Sequence, residues 1–263
     1  MMKVKTQTTK KKLTLLVIGI ILIIAICFNG IKIFGRSSNT GRLWYFSGNT
    51  EKKIAGLNSI PEDALTDYDS LMVVAHPDDE TIWGGDHLLN GKYVVVCITN
   101  GNNSKRRAEF ASVMKQTGSV GLMLTYPDKT AGKRDNWDSC REQIQKDIDT
   151  IVRQKNWSVI ATHNLNGEYG HIHHQMTSAI TTSSVEKAEL TNQLYYFGTY
   201  VKAKNMKKSN YQQYLTNPLT GDELEAKLSL TKLYGSQSKV MDHLGHMFPY
   251  ENWIPASQSA SQH

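Results

Sequence analysis

The chain has 263 residues, of which 40% are hydrophobic and 21% are charged, and its formal net charge is +6. This mixture excludes a polytopic membrane protein, which is far more apolar, and a disordered chain, which is far more polar. Three cysteines cannot build a disulfide scaffold, so burial must stabilise the core. Residues 1–36 hold seven of the 30 Lys and Arg and no Asp or Glu, so residues 37–263 carry 23 basic against 24 acidic residues. This near-neutral remainder removes the compositional case for a nucleic-acid partner.

Residues 13–34 are predicted to form one N-terminal transmembrane helix. Their first 16 residues are uncharged and mostly Leu, Ile and Val, and about 20 apolar residues suffice to cross a bilayer as a helix. Five lysines precede this run, which predicts a cytoplasmic basic tail at 1–12 and an extracytoplasmic remainder. The expected localisation is therefore the cell membrane, as a single-pass protein. A cleaved signal peptide is the alternative, but no small-x-small cleavage site follows closely.

Residues 35–66 are interpreted as a stalk or linker. They are rich in Ser, Asn, Thr and Gly and show no sustained periodicity. The triplet Trp44-Tyr45-Phe46 within them is expected to dock on the following domain or on the lipid surface.

From residue 67 the pattern predicts an α/β domain. Short Val, Ile and Leu runs alternate with segments of helical length, which is typical of a parallel sheet covered by helices. The predicted fold class is a Rossmann-like, mostly parallel sheet with helices on both faces, preceded by the transmembrane helix. A catalytic core is assigned to 67–201, and a C-terminal extension that packs on this core to 202–263. The predicted strands are 71–75, 92–99, 120–126, 157–163 and 193–197, and the predicted helices are 105–118, 136–155 and 222–244.

Two strand ends carry most of the residues suited to catalysis. The first strand leads into His76-Pro77-Asp78-Asp79-Glu80, and the fourth ends shortly before His171-Ile172-His173-His174. Ligands of open α/β sheets bind beyond the carboxyl ends of the strands. Imidazoles with one carboxylate are typical of a catalytic zinc site, or of a site for a similar divalent metal. Spacing alone leaves open which histidine binds the metal and which faces the substrate.

These residues resemble the LmbE-like/PIG-L zinc de-N-acetylases. The resemblance rests on the sequence AHPDDE at 75–80, on the later H-x-x-H, on Thr99-Asn100-Gly101 and on Arg106-x-x-Glu109, and it covers about residues 70–200. A weaker similarity lies at 234–237, where family members often carry a Ser-Gln pair.

The resemblance implies a role for each matching residue. The metal, Zn²⁺ or another divalent ion, would be held by His76, Asp79 and His174. The catalytic residues would be Asp78, as general base, and His171, which would stabilise the oxyanion or protonate the leaving amine. The substrate-binding residues would be Arg106 and Tyr169. For Arg106, a surface ion pair with Glu109 is the alternative.

One position departs from the family. Its second motif commonly reads H-P-D-H, whereas His173 stands here in place of the carboxylate that would orient His171. This leaves the protonation state of His171 open, although Glu168 could supply the missing charge. His163 and Asn164 are further candidates for the pocket, and His87 is expected on a helix surface.

The sequence therefore predicts a membrane-anchored, metal-dependent deacetylase. Its substrate would be an N-acetylglucosamine-type sugar in a cell-surface glycan or a lipid-linked precursor, its membrane contact would be residues 13–34, and nucleic acid would not be a partner. The alternatives are a non-catalytic zinc- or sugar-binding surface protein and a glycolipid deacetylase on the cytosolic face. Neither a G-x-G-x-x-G nor a G-x-S-x-G motif is present, which disfavours a dinucleotide site and a serine nucleophile.

Overall fold

A computed structural model of the chain describes residues 43–60 and 62–259. The strands in these ranges are β1 (Leu43–Ser47), β2 (Thr50–Ile54), β3 (Ser70–Val74), β4 (Tyr93–Thr99), β5 (Val120–Tyr126), β6 (Lys129–Thr130), β7 (Lys133–Arg134), β8 (Val159–Thr162), β9 (Leu194–Tyr196) and β10 (Ile254–Pro255). The α-helices are α1 (Asp79–Asn90), α2 (Ser104–Thr117), α3 (Arg141–Val152), α4 (Gly167–Gly170), α5 (Ile172–Lys187), α6 (Gly221–Thr231), α7 (Ser238–Leu244) and α8 (Ala256–Ser259). Short 3-10 helices lie at Leu57–Ser59, Glu62–Leu65, Thr191–Gln193, Ala203–Asn205, Ser209–Tyr214, Gly235–Gln237 and Gly245–Met247.

The central sheet is mixed rather than uniformly parallel. Its eight described strands follow the order β10-β9-β8-β3-β4-β5-β1-β2. The five strands from β9 to β5 run parallel, whereas β10 at one edge and the β1–β2 hairpin at the other are antiparallel to their neighbours. Strands β6 and β7 form a separate hairpin. The parallel centre brings the carboxyl ends of β3, β4, β5 and β8 to one edge of the sheet.

Helices cover both faces of the sheet. Along β3, Leu71 and Val73 belong to the core cluster that includes α3 and α5, whereas Met72 and Val74 belong to the cluster that includes α1 and α2. All four side chains are fully buried. Successive side chains of a strand point to opposite faces, so a continuous apolar run needs a helical layer on each side.

The predicted fold class is wrong in its transmembrane part. Residues 13–34 lie outside the described ranges, and within those ranges no helix combines the length and the apolarity that a membrane crossing requires. The longest described helix, α5, has 16 residues, short of the roughly 20 that a span needs. The fold class that these residues support is a mixed α/β sheet with helices. The predicted membrane localisation depends on residues 13–34 and stays a prediction.

The structure also differs from the interpretation of residues 35–66 as a stalk. Strand β1 pairs with β2 and, across the sheet, with β5. The side chains of Leu43, Tyr45 and Phe46 are buried, and the Phe46 ring lies 5.6 Å from that of Phe110. Their burial extends the core, so the aromatic triplet belongs to the domain.

The C-terminal residues pack against α1 through a buried ion pair. The predicted helix 222–244 is divided into α6 and α7 by a 3-10 turn. Lys227 on α6 is fully buried, and its Nζ lies 2.5 Å from Oε1 of Glu251 and donates to the carbonyl of Ile82 at 2.9 Å. Glu251 also contacts the ring of His87 at 2.6 Å. His87, expected on a helix surface, is therefore part of this network.

The ion pair predicts a pH-dependent stability. Burial alone would raise the pKa of Glu251, but Lys227 and His87 outweigh it and hold this pKa at about 2, against an ordinary 4.5. Because the folded pKa is the lower one, the stabilisation is complete above about pH 4.5 and is lost as the pH falls toward 2. Glu251→Gln should lower the free energy of unfolding by about 3–5 kcal/mol at pH 7, because Lys227 keeps a buried charge without its partner.

Denaturant unfolding at several pH values measures this difference. The difference in the free energy of unfolding between Glu251→Gln and the unmodified chain should become smaller below pH 4.5. Glu225→Gln, an exposed position on the same helix as Lys227, is the control and should change stability by less than about 0.5 kcal/mol. A gap that is absent at pH 7, or that stays constant down to pH 2, would contradict the assignment.

Candidate metal centre and active site

A strained turn places Asp78 at the end of β3. Its φ of 130° lies in a region that non-glycine residues rarely adopt and that persists only where the surroundings enforce it. The backbone N–H of Asp78 donates to Oε2 of Glu80 at 3.0 Å, and Oε1 of Glu80 accepts from the Tyr234 hydroxyl at 2.5 Å. Glu80 is fully buried. Its hydrogen bonds therefore stabilise the turn.

The turn borders a pocket of about 530 Å³ at the carboxyl edge of the sheet. A cleft of this size suits a small ligand. The pocket is lined by His76, Asp78, Asp79, Asn100, Asn103, Arg106, Asp128, Lys129, Arg134, Tyr169, His171, Gln237 and Val240.

Arg106 is bound to Asp78 rather than lying on a helix surface. It is 6% exposed, and its guanidinium lies 3.1 Å from Oδ2 of Asp78 and 3.5 Å from Glu109. Ser236 holds Glu109 in turn, donating through its backbone N–H and its hydroxyl at 2.7 Å each. Burial raises the pKa of Asp78 well above its ordinary value, and Arg106 opposes that rise. The alternative ion pair of Arg106 with Glu109 is present, but it is buried rather than on the surface. The substrate-binding role of Arg106 stays a prediction.

Glu168 holds two histidines by one oxygen. Its Oε2 lies 2.5 Å from Nδ1 of His174 and 3.1 Å from Nδ1 of His163. Burial by itself raises the pKa of Glu168, but the two imidazoles lower it to about 2, so the carboxylate is ionised at neutral pH. An ionised carboxylate only accepts hydrogen bonds. Both Nδ1 atoms therefore carry a proton. Burial lowers the pKa of His174, but Asp79 and Glu168 outweigh it and raise this pKa to about 10, so a metal at Nε2 of His174 would displace a proton.

Only one of the two Nε2 atoms is left for a metal. Nε2 of His163 accepts the backbone N–H of Ala75 at 3.0 Å. Nε2 of His174 is buried, lies 3.3 Å from Oδ1 of Asp79, and has no hydrogen-bond partner within the described part of the chain. A buried polar atom without a partner requires an explanation, and an imidazole whose other nitrogen donates to a carboxylate is the usual form of a metal ligand. His174 therefore fits a metal, whereas His163 is structural.

Asp79 connects His174 with His76. Its Oδ2 lies 3.2 Å from Nδ1 of His76 and accepts that residue's backbone N–H at 2.8 Å. Burial alone would raise the pKa of Asp79, but His174 and His163 bring it well below its ordinary value. This ionised carboxylate thus contacts both of the other predicted ligands, His76 and His174.

Ligand atoms close enough to share one metal occur in three sets among the described residues. These are His76 with His171 and His174, His76 with Asp128 and His173, and Asp79 with His163 and His174. The predicted trio is divided between the first and the third set, so its assignment stays a prediction.

The proton of His171 is placed by the backbone. Its Nδ1 accepts the N–H of His173 at 3.2 Å and so caps α5. Burial, with His174 and His76 nearby, lowers the pKa of His171 to about 2. The neutral ring therefore carries its proton on Nε2. A main-chain N–H donor therefore contacts Nδ1 of His171 where a carboxylate acceptor was expected, and Glu168 contacts His163 and His174 instead.

Tyr169 lies at the mouth of the pocket. Its side chain is 43% exposed, with ring centroids 5.5 Å from His174 and 6.0 Å from His171. An exposed aromatic ring beside two histidines can contact a sugar, so the predicted substrate-binding role is compatible with this position.

The sequence analysis did not identify Asp128, and it named His163 only as a further candidate for the pocket. Oδ1 of Asp128 lies 3.4 Å from Nε2 of His76, and Asp128 pairs with Arg134. Burial alone raises the pKa of Asp128, but His76 and Arg134 bring it well below its ordinary value. Asp128 follows β5 by two residues, so the strand-end rule applied to a third strand would have found it.

The contacts of Glu168 predict that its replacement weakens metal binding. In Glu168→Gln the amide offers one accepting oxygen and a donating NH₂ group, so the two Nδ1–H groups lose a common acceptor. Zinc affinity, measured by competition with a chromophoric chelator, should fall by about 10–100-fold. Glu186→Gln, at an exposed position on the helix that carries His174, should leave the affinity unchanged. Equal affinity in both variants would remove Glu168 from the site.

Comparison with known proteins agrees with the geometry. An uncharacterised protein of Acanthamoeba polyphaga mimivirus is 33% identical over 143 residues, which make up 48% of this chain and 62% of that relative. The chain thus spans less than two thirds of the relative's length. Residues 71–185 match the model of the family described as GlcNAc-PI de-N-acetylase, PIG-L. The resemblance noted in the sequence is confirmed: residues 71–185 match the PIG-L family model.

Proposed function

We propose that the chain is a metal-dependent hydrolase that removes the acetyl group from an N-acetylated glucosamine-type sugar. The observation that carries the proposal is the buried Nε2 of His174, which has no hydrogen-bond partner among the described residues and lies beside ionised Asp79. A second carboxylate, that of Asp78, lines the same pocket. The description of the matching family, GlcNAc-PI de-N-acetylase, supports the reaction type and the sugar.

The residues that would hold the metal are His174, Asp79 and His76. Two imidazoles and one carboxylate suit Zn²⁺ and leave a coordination position open. A divalent metal bound there would lower the pKa of a water molecule toward about 7 and polarise the acetamide carbonyl.

Asp78 is the proposed general base. Its carboxylate lines the pocket, and the strained turn and the contact with Arg106 restrict its orientation. It would take a proton from the attacking water and return a proton to the amine nitrogen as the C–N bond breaks. A carboxylate that makes both transfers keeps the proton balance of amide hydrolysis within one residue.

His171 is the proposed oxyanion donor. Its Nδ1 is occupied by the N–H of His173, so the proton sits on Nε2 of a ring that lines the pocket. A fixed N–H donor favours the negative charge that develops on the amide oxygen in the transition state. Arg106 and Tyr169, at the pocket wall and mouth, would position the sugar.

The proposal predicts that Asp78→Asn separates metal binding from catalysis. With the full chain loaded with zinc, acetate release should fall by about 10²–10⁴-fold, because the amide cannot accept the water proton. The zinc content should stay the same, since Asp78 is not a proposed ligand. The substrates are N-acetylglucosamine oligomers and an N-acetylglucosaminyl glycolipid, so the assay also compares a glycan with a lipid-borne sugar.

Asp67→Asn, at an exposed position that does not line the pocket, is the matched control and should keep full activity. Unchanged acetate release by Asp78→Asn would reject Asp78 as the base. A zinc-loaded chain that releases acetate from neither substrate would reject the enzyme and favour a sugar-binding protein.

A further inference from the structure

His173, which replaces the usual carboxylate of the family motif, is buried between a tryptophan and the metal ligands. Its ring stacks on Trp137 with a centroid distance of 4.2 Å and an interplanar angle of 13°. Its Nε2 lies 2.7 Å from the carbonyl oxygen of Asp135, and its Nδ1 lies 3.0 Å from Nε2 of His76. Both ring nitrogens are therefore engaged, one by the backbone and one by a proposed ligand.

The carbonyl of Asp135 determines the direction of this chain of hydrogen bonds. A carbonyl oxygen only accepts, so Nε2 of His173 is the donor in that contact. In a neutral imidazole the other nitrogen is then an acceptor. Nδ1 of His173 therefore accepts from Nε2–H of His76, which leaves Nδ1 as the nitrogen of His76 that a metal could take. That atom lies 3.2 Å from Oδ2 of Asp79.

Asp128 acts in the same direction. Its Oδ1 lies 3.4 Å from Nε2 of His76 and 3.7 Å from Nδ1 of His173, and Arg134 holds the carboxylate. Two acceptors thus face the one nitrogen of His76. Their convergence favours a proton at that position over a second metal ion between these three residues.

We propose that His173 is a positioning residue for the metal centre: its contact with His76 keeps the proton on Nε2 and presents Nδ1 to the metal. An imidazole anchored to a backbone carbonyl thereby does for His76 what the Glu168 carboxylate does for His174. The proposal rests on the proposed function in one respect, the binding of a metal by His76. Orienting partners of this kind change metal affinity by about 10–100-fold.

Two variants of His173 test the role. His173→Phe keeps a flat ring for the stack on Trp137 but removes both nitrogens. His173→Asn places an amide oxygen on Cγ, where Nδ1 of the imidazole was, and so restores the acceptor. In chelator competition, His173→Phe should bind zinc about 10–100-fold more weakly than the unmodified chain. His173→Asn should recover most of that loss, which a purely structural role of the ring would not explain.

A spectroscopic measurement on the unmodified, metal-free chain is independent of how the variants fold. Long-range ¹⁵N–¹H correlation of histidine side chains distinguishes a protonated from a bare ring nitrogen. His76 should show a protonated Nε2, and His173 should show a protonated Nε2 and a bare Nδ1. A bare Nε2 on His76 would overturn the proposal.

The results separate this proposal from the proposed function. Zinc affinity of folded His173→Phe within twofold of the unmodified chain, or of His173→Asn as low as that of His173→Phe, rejects the role of His173 while the metal enzyme stands. A chain that binds no zinc rejects the proposed function, and the ¹⁵N pattern still decides the tautomer of His76.

Discussion

The candidate site depends on one buried carboxylate. Glu168 is stable as an anion because its oxygens accept from two imidazole N–H groups and from the backbone N–H of Asn164 at 2.9 Å. Its backbone is strained, with a φ of 54°, and a strained residue persists only where its surroundings compensate the cost. Those hydrogen bonds compensate it here. Without this anion, neither His163 nor His174 would have a fixed proton, and the buried nitrogen that faces Asp79 would not be defined.

His174 and His76 are each oriented by a hydrogen bond to one ring nitrogen. His174 is fixed through Nδ1 and presents Nε2, whereas His76 contacts His173 through Nε2 and has Nδ1 next to Asp79. The two rings are thus held from opposite sides, and Asp79 lies between them. Ligands arranged before a metal arrives avoid part of the ordering cost that binding otherwise carries. The main-chain contacts of Ala75 and Asp135 contribute to this order without any charge of their own.

The sequence predicted the parallel centre of the sheet because continuous apolar runs determine it locally. Strands 120–126 and 92–99 agree with β5 and β4 to within one residue. It could not predict the β1–β2 hairpin, because β1 is stabilised by β5, which lies far away in the sequence. The residues of the first and fourth strand ends were identified by type and position. The contacts of Glu168 with two histidines and of Arg106 with Asp78 could not be identified, because contacts between side chains of different elements leave no periodic trace in the sequence.

The residues that match the family model do not include all the residues that support the pocket. Residues 71–185 carry the recognisable motifs, yet Glu80 receives its hydrogen bond from Tyr234 and Glu109 receives two from Ser236. The turn at Asp78 is therefore stabilised in part by a segment that lies outside the matched residues. A protein that has the motifs but lacks Tyr234 and Ser236 would keep the reactive side chains without the hydrogen bonds that orient them. Relatives that differ in this C-terminal segment can thus share the motif residues and still differ in how rigidly Asp78 is held.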